Sequence, residues 1–237
     1  MALSDVRQTH LKLVNRVQAK LGLTETAGLA TNKHAELLLD MLNEVIEDCS
    51  NFGDWQQFFR EITVTAQSSV GTYEVAVSSE VKNIQEIAWT SSASPLEVRS
   101  IQDLRRLQRT GSGGGAGEPR QFAIVGVSGT NPLFRVYPTP ASAQETLNGS
   151  FDIAYYKKPR LLVTTTADST AITAFPANLL FQGLYAKAML EQNGGEETGE
   201  YRTEYASYLN LRQEALNRFN SDTGTDVYFS PTGARYA

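Results

Sequence analysis

The sequence predicts an α+β chain, in which a helical bundle built from N- and C-terminal helices carries an inserted antiparallel β-rich domain of sandwich or barrel-like form. Two observations predict this. Apolar residues recur at three- and four-residue spacing near both ends, and between Ile62 and Tyr156 the period drops to two. The expected segments are residues 1–60 (N-terminal helices), 61–173 (β-rich domain), 174–220 (C-terminal helices) and 221–237 (an extended tail).

Val6, Leu13, Val14, Val17 and Leu21 form one stripe of a first helix, which Gly22 ends. Leu37, Leu38, Met41, Leu42, Val45, Ile46 and Cys49 repeat the spacing over about four turns of a second. Asp54 can cap a short turn carrying Trp55, Phe58 and Phe59. Ile62, Val64 and Ala66 then alternate with polar residues, Ser68 to Gly71 offers a turn, and Tyr73, Val75 and Val77 alternate again, as in a hairpin. Further strands are expected at Ile84 to Trp89, Leu96 to Val98, Phe122 to Val127, Leu133 to Tyr137 and Phe151 to Tyr156. Ser100 and Asp103 form a capping-box pattern ahead of Leu104 and Leu107, which places one short helix among the strands.

Residues 110–118 hold five glycines and read as a mobile surface loop. After the Thr-rich stretch Thr164 to Thr173, Pro176 suits a first helical turn, Leu180, Phe181, Leu184, Tyr185, Ala188 and Met189 line a helix, and Asn193-Gly194-Gly195 ends it. A last helix carries Tyr201, Tyr205, Tyr208, Leu209, Arg212, Leu216 and Phe219 on one face.

Composition narrows the function. The 237 residues hold 21 basic and 26 acidic side chains, a net charge of −5 that argues against a polybasic nucleic-acid wrapper. The single cysteine, Cys49, cannot form an intramolecular disulfide, and with His10 and His34 as the only histidines a zinc site is not expected. No signal peptide and no bilayer-spanning run is recognised, so no membrane partner is expected.

The catalytic motifs are weak. Gly111-Ser112-Gly113-Gly114-Gly115-Ala116 satisfies the dinucleotide fingerprint literally, but polar helix precedes it and Glu118-Pro119 follows, where that fingerprint requires a buried strand and a new helix. Cys49 lies on an apolar stripe and reads as a buried structural thiol. The acids Glu44, Glu47 and Asp48, and Glu196, Glu197, Glu200 and Glu204, fall on helix faces or in a first turn, where solvated carboxylates are favoured. Lys157-Lys158-Pro159-Arg160 and Arg105-Arg106-Arg109 read as solvated faces or subunit salt bridges, and Asn148-Gly149-Ser150 as a turn. No catalytic residue, cofactor or metal is expected.

The arrangement as a whole resembles the head-to-tail adaptor proteins of short-tailed bacteriophages. The resemblance rests on the helical start, Trp55 to Phe59 leading straight into a hairpin (Ile62 to Val77), strands ending in Ile84-Gln85-Glu86-Ile87, and Gly117-Glu118-Pro119-Arg120-Gln121-Phe122. It continues in Leu133-Phe134-Arg135-Val136-Tyr137-Pro138-Thr139-Pro140, Ile153-Ala154-Tyr155-Tyr156-Lys157-Lys158-Pro159 and two closing helices rich in Ala, Tyr and Leu. It implies a virion protein without an active site, assembled in the host cytoplasm. It also implies a ring, usually of twelve subunits, that binds the portal protein, extends the DNA channel for transient non-specific passage of double-stranded DNA, and carries tail nozzle or tail-fibre-bearing proteins. An acidic lining lets DNA slide where a basic one holds it, so Glu44, Glu47, Asp48, Glu197, Glu200 and Glu204 are expected to face the channel or its rim. In the last segment Tyr228, Phe229, Pro231, Arg235 and Tyr236 supply the aromatic and Arg anchors usual at interfaces and are expected to bind the portal. A tail-tube or nozzle subunit, a virion-associated cell-wall hydrolase, and a carbohydrate-binding module using Trp89 and tyrosines as stacking surfaces stay open as alternatives.

Overall fold

The computed structural model describes residues 8–29, 31, 33–77, 80–110, 115–141, 149–163 and 166–221. The fold is α+β. It divides into two compact units: over the described residues, one takes 8–56 and 159–221, the other 57–158.

The first unit is helical. Helix α1 (His10–Lys20) starts where Thr9 Oγ1 accepts the Lys12 amide at 3.3 Å, and buries Leu13, Val14 and Val17. Gly22, at φ +73°, turns the chain out of it. Helix α2 (Lys33–Phe52) buries Leu38, Leu39, Met41, Leu42, Val45, Ile46 and Cys49, while Leu37, expected on that stripe, is 41% exposed and Leu39 takes its place. A short helix, α4 (Thr166–Thr170), lies in the Thr-rich stretch, where no apolar period marks it. Its Asp168 carboxylate accepts the Val163 amide at 2.7 Å, and its Asp168 carbonyl accepts from His10 Nδ1 at 3.1 Å.

Helix α5 (Ala177–Gln192) packs against α1, α2 and α6 (Gly199–Ser221). Its buried residues, from Ala177 and Leu180 through Leu184, Ala186 and Met189, encircle the helix instead of forming one stripe, as befits a central element. Gly183 makes that position workable, because a Cβ there would stand 2.7 Å from Val45 Cγ1 and 2.8 Å from Tyr208 Cε2. Trp55, 1% exposed, donates from Nε1 to the Cys49 carbonyl at 2.7 Å and sets its ring edge against Phe175.

The second unit holds two four-stranded sheets and a helix. In the first sheet β1 (Phe59–Thr65), β8 (Ser150–Lys157), β3 (Val81–Trp89) and β4 (Ser94–Pro95) lie in that order; in the second, β2 (Thr72–Glu74), β7 (Asn131–Tyr137), β6 (Gln121–Ser128) and β5 (Glu97–Val98). All pairs are antiparallel except β5 with β6. The expected hairpin of Ile62 to Val77 does not form. β1 pairs along its whole length with β8, and β2 pairs with β7 in the other sheet. The link between them is held as a corner by Tyr73, whose hydroxyl donates to the Gln67 or Val70 carbonyl (3.1 and 2.8 Å) and accepts the Gln67 amide at 3.2 Å.

Side chains of both sheets meet in one core of Tyr73, Val75, Ile87, Trp89, Phe122, Phe134, Val136, Phe151 and Ile153. The Phe151 ring touches Tyr73 (4.8 Å between centroids), Trp89 (5.0 Å) and Phe134 (5.5 Å). Helix α3 (Ile101–Thr110) begins as its capping box requires, the Ser100 hydroxyl accepting the Asp103 amide at 3.1 Å. It packs on β6 and β7, with Leu104 fully buried. Ala123 alternates with the core-facing Phe122, so it points away from the core, yet it is 1% exposed; α3 is its cover. Of the glycine-rich loop, residues 111–114 lie outside the described residues. Its end is tied down, with the Gly117 amide donating to Thr139 O at 2.7 Å and the Thr139 amide to Gly115 O at 2.6 Å.

Candidate functional site

The six acids expected at the channel fall into two groups. Asp48 and Glu204 are bonded inside the helical unit. Asp48 Oδ2 accepts from Tyr208 Oη at 2.6 Å and from Arg212 at 2.5 Å, and the Arg212 guanidinium lies over the Phe52 ring at 4.0 Å. On its other side the Tyr208 hydroxyl stands 3.4 Å from Cys49 Sγ. Burial is the main force on this cluster: it pushes the Cys49 thiol up to about 12 and raises the Tyr208 hydroxyl in the same direction. Cys49 is therefore an inert thiol, as its apolar stripe implied. Glu204 accepts from Gln182 and pairs with Lys20 at 3.4 Å.

The other four acids are exposed. Glu44 pairs with Lys187 at 2.6 Å and Glu197 with Arg202 at 3.4 Å, whereas Glu47 and Glu200 have no ion pair among the described residues. The portal-binding candidates Tyr228, Phe229, Pro231, Arg235 and Tyr236 lie outside the described residues.

A further acidic feature belongs to the β unit. On the outer face of the first sheet, the register sets Glu61, Ala154 and Glu86 in one cross-strand row and Thr63, Asp152 and Ala88 in the next. These residues line a groove of about 860 Å³. Strands two apart are about 10 Å apart, so Glu61 and Glu86 flank the small Ala154 as two walls. The Thr63 hydroxyl donates to Asp152 at 2.7 Å, while Glu61 and Glu86 have no ion pair among the described residues. Among the described residues no group of three acids, histidines or cysteines could hold a metal ion. Trp89 contributes no stacking surface: at 1% exposure it is packed inside against Phe151, which corrects its expected use in a carbohydrate-binding module.

The family model described as SU10 adaptor protein matches residues 8–235, nearly the whole chain. The chain belongs to the SU10 adaptor family. This makes it a phage head-to-tail adaptor, a structural protein of the virion that interacts with portal and tail proteins. No curated protein matched it. Among the described residues of this SU10 adaptor family member, no helix is long and apolar enough to cross a membrane.

Chemistry on the helices agrees with a structural family. Asp48, Tyr208, Arg212 and Cys49 are spent on one another in packing α2 to α6, and a helix-face acid bonded in this way is a positioned strut. The groove escaped the reading of the sequence for a simple reason. Glu61, Glu86 and Asp152 are far apart along the chain, and only the pairing of β1 and β3 on either side of β8 brings them together. The one available signal was the alternation in β1, which puts Glu61 and Thr63 on the face opposite Ile62 and Val64.

Proposed function

We propose that this adaptor forms a ring, of twelve subunits, beneath the portal of a phage capsid, extends the DNA channel, and presents the platform on which nozzle or fibre-bearing tail proteins assemble. The match to the SU10 adaptor family along residues 8–235 carries the reading. In it, the helices of both ends of the chain form one bundle and the two sheets form a sandwich. The protein acts by contact, without turnover.

Exposed carboxylates suit the channel role. A wall of negative charge repels the phosphate backbone and gives DNA nothing to grip. Glu47 and Glu200 have no ion pair among the described residues, Glu44 and Glu197 pair with Lys187 and Arg202, and Asp48 and Glu204 hold the helices together. The tail aromatics Tyr228, Phe229 and Tyr236, together with Pro231 and Arg235, dock on the portal, since aromatic residues and Arg are the usual interface anchors.

Capture on immobilised portal rings tests this reading. The full chain is expected to bind, and a chain lacking residues 221–237 to lose most of that binding while keeping its far-ultraviolet circular dichroism. Undiminished capture of the shortened chain removes the tail from the portal contact.

A further inference from the structure

We propose that the acidic groove on the outer face of the β1-β8-β3-β4 sheet receives helix α3 of a second copy of this chain, its Arg105 and Arg109 entering between Glu61, Glu86 and Asp152. The proposal deepens the ring reading above and rests on it.

Four observations carry it. First, the groove has charge to offer: Glu61 and Glu86 make no ion pair among the described residues, and they stand about 10 Å apart with the small Ala154 between them in their cross-strand row. Second, the rim has acceptors to offer. The Ala66 amide bonds Gly149 O, so in the antiparallel ladder the even residues of β1 face β8, and Glu61, Thr63 and Thr65 turn their N–H and C=O groups outward at the free edge of the sheet. Third, α3 carries the complement. Arg105 and Arg109 are exposed, one helical turn apart on a single face, and neither makes an ion pair among the described residues. Their separation of about 6 Å is close to the roughly 7 Å between the row of Glu61 and Glu86 and the row of Asp152, since neighbouring same-face residues of a strand are two residues apart.

The fourth observation is placement. Asp152 and Ala154 point away from the core on one sheet, and Ala123, beneath α3, points away from it on the other. Groove and helix therefore occupy opposite outer faces of one compact unit and cannot satisfy each other within a chain. A contact between unlike faces of identical subunits is heterologous, and when its rotation closes it produces a ring. Guanidinium groups suit this groove better than ammonium groups, because they donate to two carboxylate oxygens or to a carboxylate and a carbonyl at once.

The test uses the full chain with portal rings present and follows assembly by mass measurement. Wild type is expected to form rings, less readily as salt rises. Arg105→Glu with Arg109→Glu, and Glu61→Arg with Glu86→Arg, should each raise the concentration for half-assembly by about tenfold or more, since like charges then meet. Mixing the two variants, or combining all four substitutions, should restore it. Arg105→Gln with Arg109→Gln and Glu61→Gln with Glu86→Gln give the same test without charge reversal, and thermal unfolding checks that every variant is folded. Wild-type rings together with unchanged assembly of both folded variants overturn this interface and leave the ring reading standing. An α3 variant that assembles normally but loses capture on portal assigns α3 to the portal and also overturns it. A wild type that stays monomeric with and without portal defeats the ring reading, and this interface with it.

Discussion

At the scale of single residues the chain's rarer side chains work in packing. Cys49, Asp48, Tyr208 and Arg212 join α2 to α6, and removing one partner strands the others: Arg212 is only 13% exposed and its Nε already lacks a partner. Asp48→Asn should cost about 1–2 kcal/mol, the lower end of what a charged hydrogen bond is worth, because Asp48 itself is 44% exposed and screened by water. Urea denaturation checks this. Gly183→Ala should destabilise by roughly 1–3 kcal/mol, since the clash with Val45 and Tyr208 outweighs the helix-propensity gain of about 1 kcal/mol. The thiol of Cys49 is neutral in the fold up to about 12 but ionises near 9.0 when exposed, so its contribution is complete below pH 9 and is lost as pH climbs toward 12. Wild type should lose stability over that interval more steeply than Cys49→Ala, read as the urea midpoint against pH. His10 works at the other end: burial lowers its pKa below 6.5, so its contribution is present above that value and fades as pH falls through the folded pKa, which an imidazole titration by NMR should place under 6.5.

At the scale of elements, what was legible in the sequence was whatever a local period encodes. Helix α2 follows its apolar stripe, α3 its capping box, and β7 and β8 their alternation. Pairing was not legible, because alternation states which face of a strand is buried and leaves its neighbour open. Ile62, Val64, Tyr73 and Val75 do turn toward one core, yet β1 and β2 join different sheets, and the corner between them is held by the Tyr73 hydroxyl together with backbone bonds such as the Ser69 amide to Pro140 O. Helix α4 was invisible for a related reason: Thr166–Thr170 has no apolar period, and it is held by the bonds of Asp168. The groove is a product of pairing and so shared that invisibility. The β core predicts its own weak point. Phe151 bridges Tyr73, Trp89 and Phe134, so Phe151→Ala should cost about 3–5 kcal/mol, measured by thermal or urea unfolding, whereas truncating the 68% exposed Val127 should change little.

At the scale of the whole molecule, the net charge of −5 suits the proposed role of a wall that DNA passes without being gripped. Glu47→Lys with Glu200→Lys should slow DNA ejection from assembled particles, and more so at low salt, because a basic wall grips phosphates. Membership of the SU10 adaptor family makes the chain a structural protein of the virion, and the proposed ring assembles on the portal. The most direct measurement is particle mass, by light scattering or electron microscopy, for the purified chain alone and after mixing with portal rings. A closed ring of copies seated on the portal is expected. A chain that stays monomeric in both conditions contradicts it.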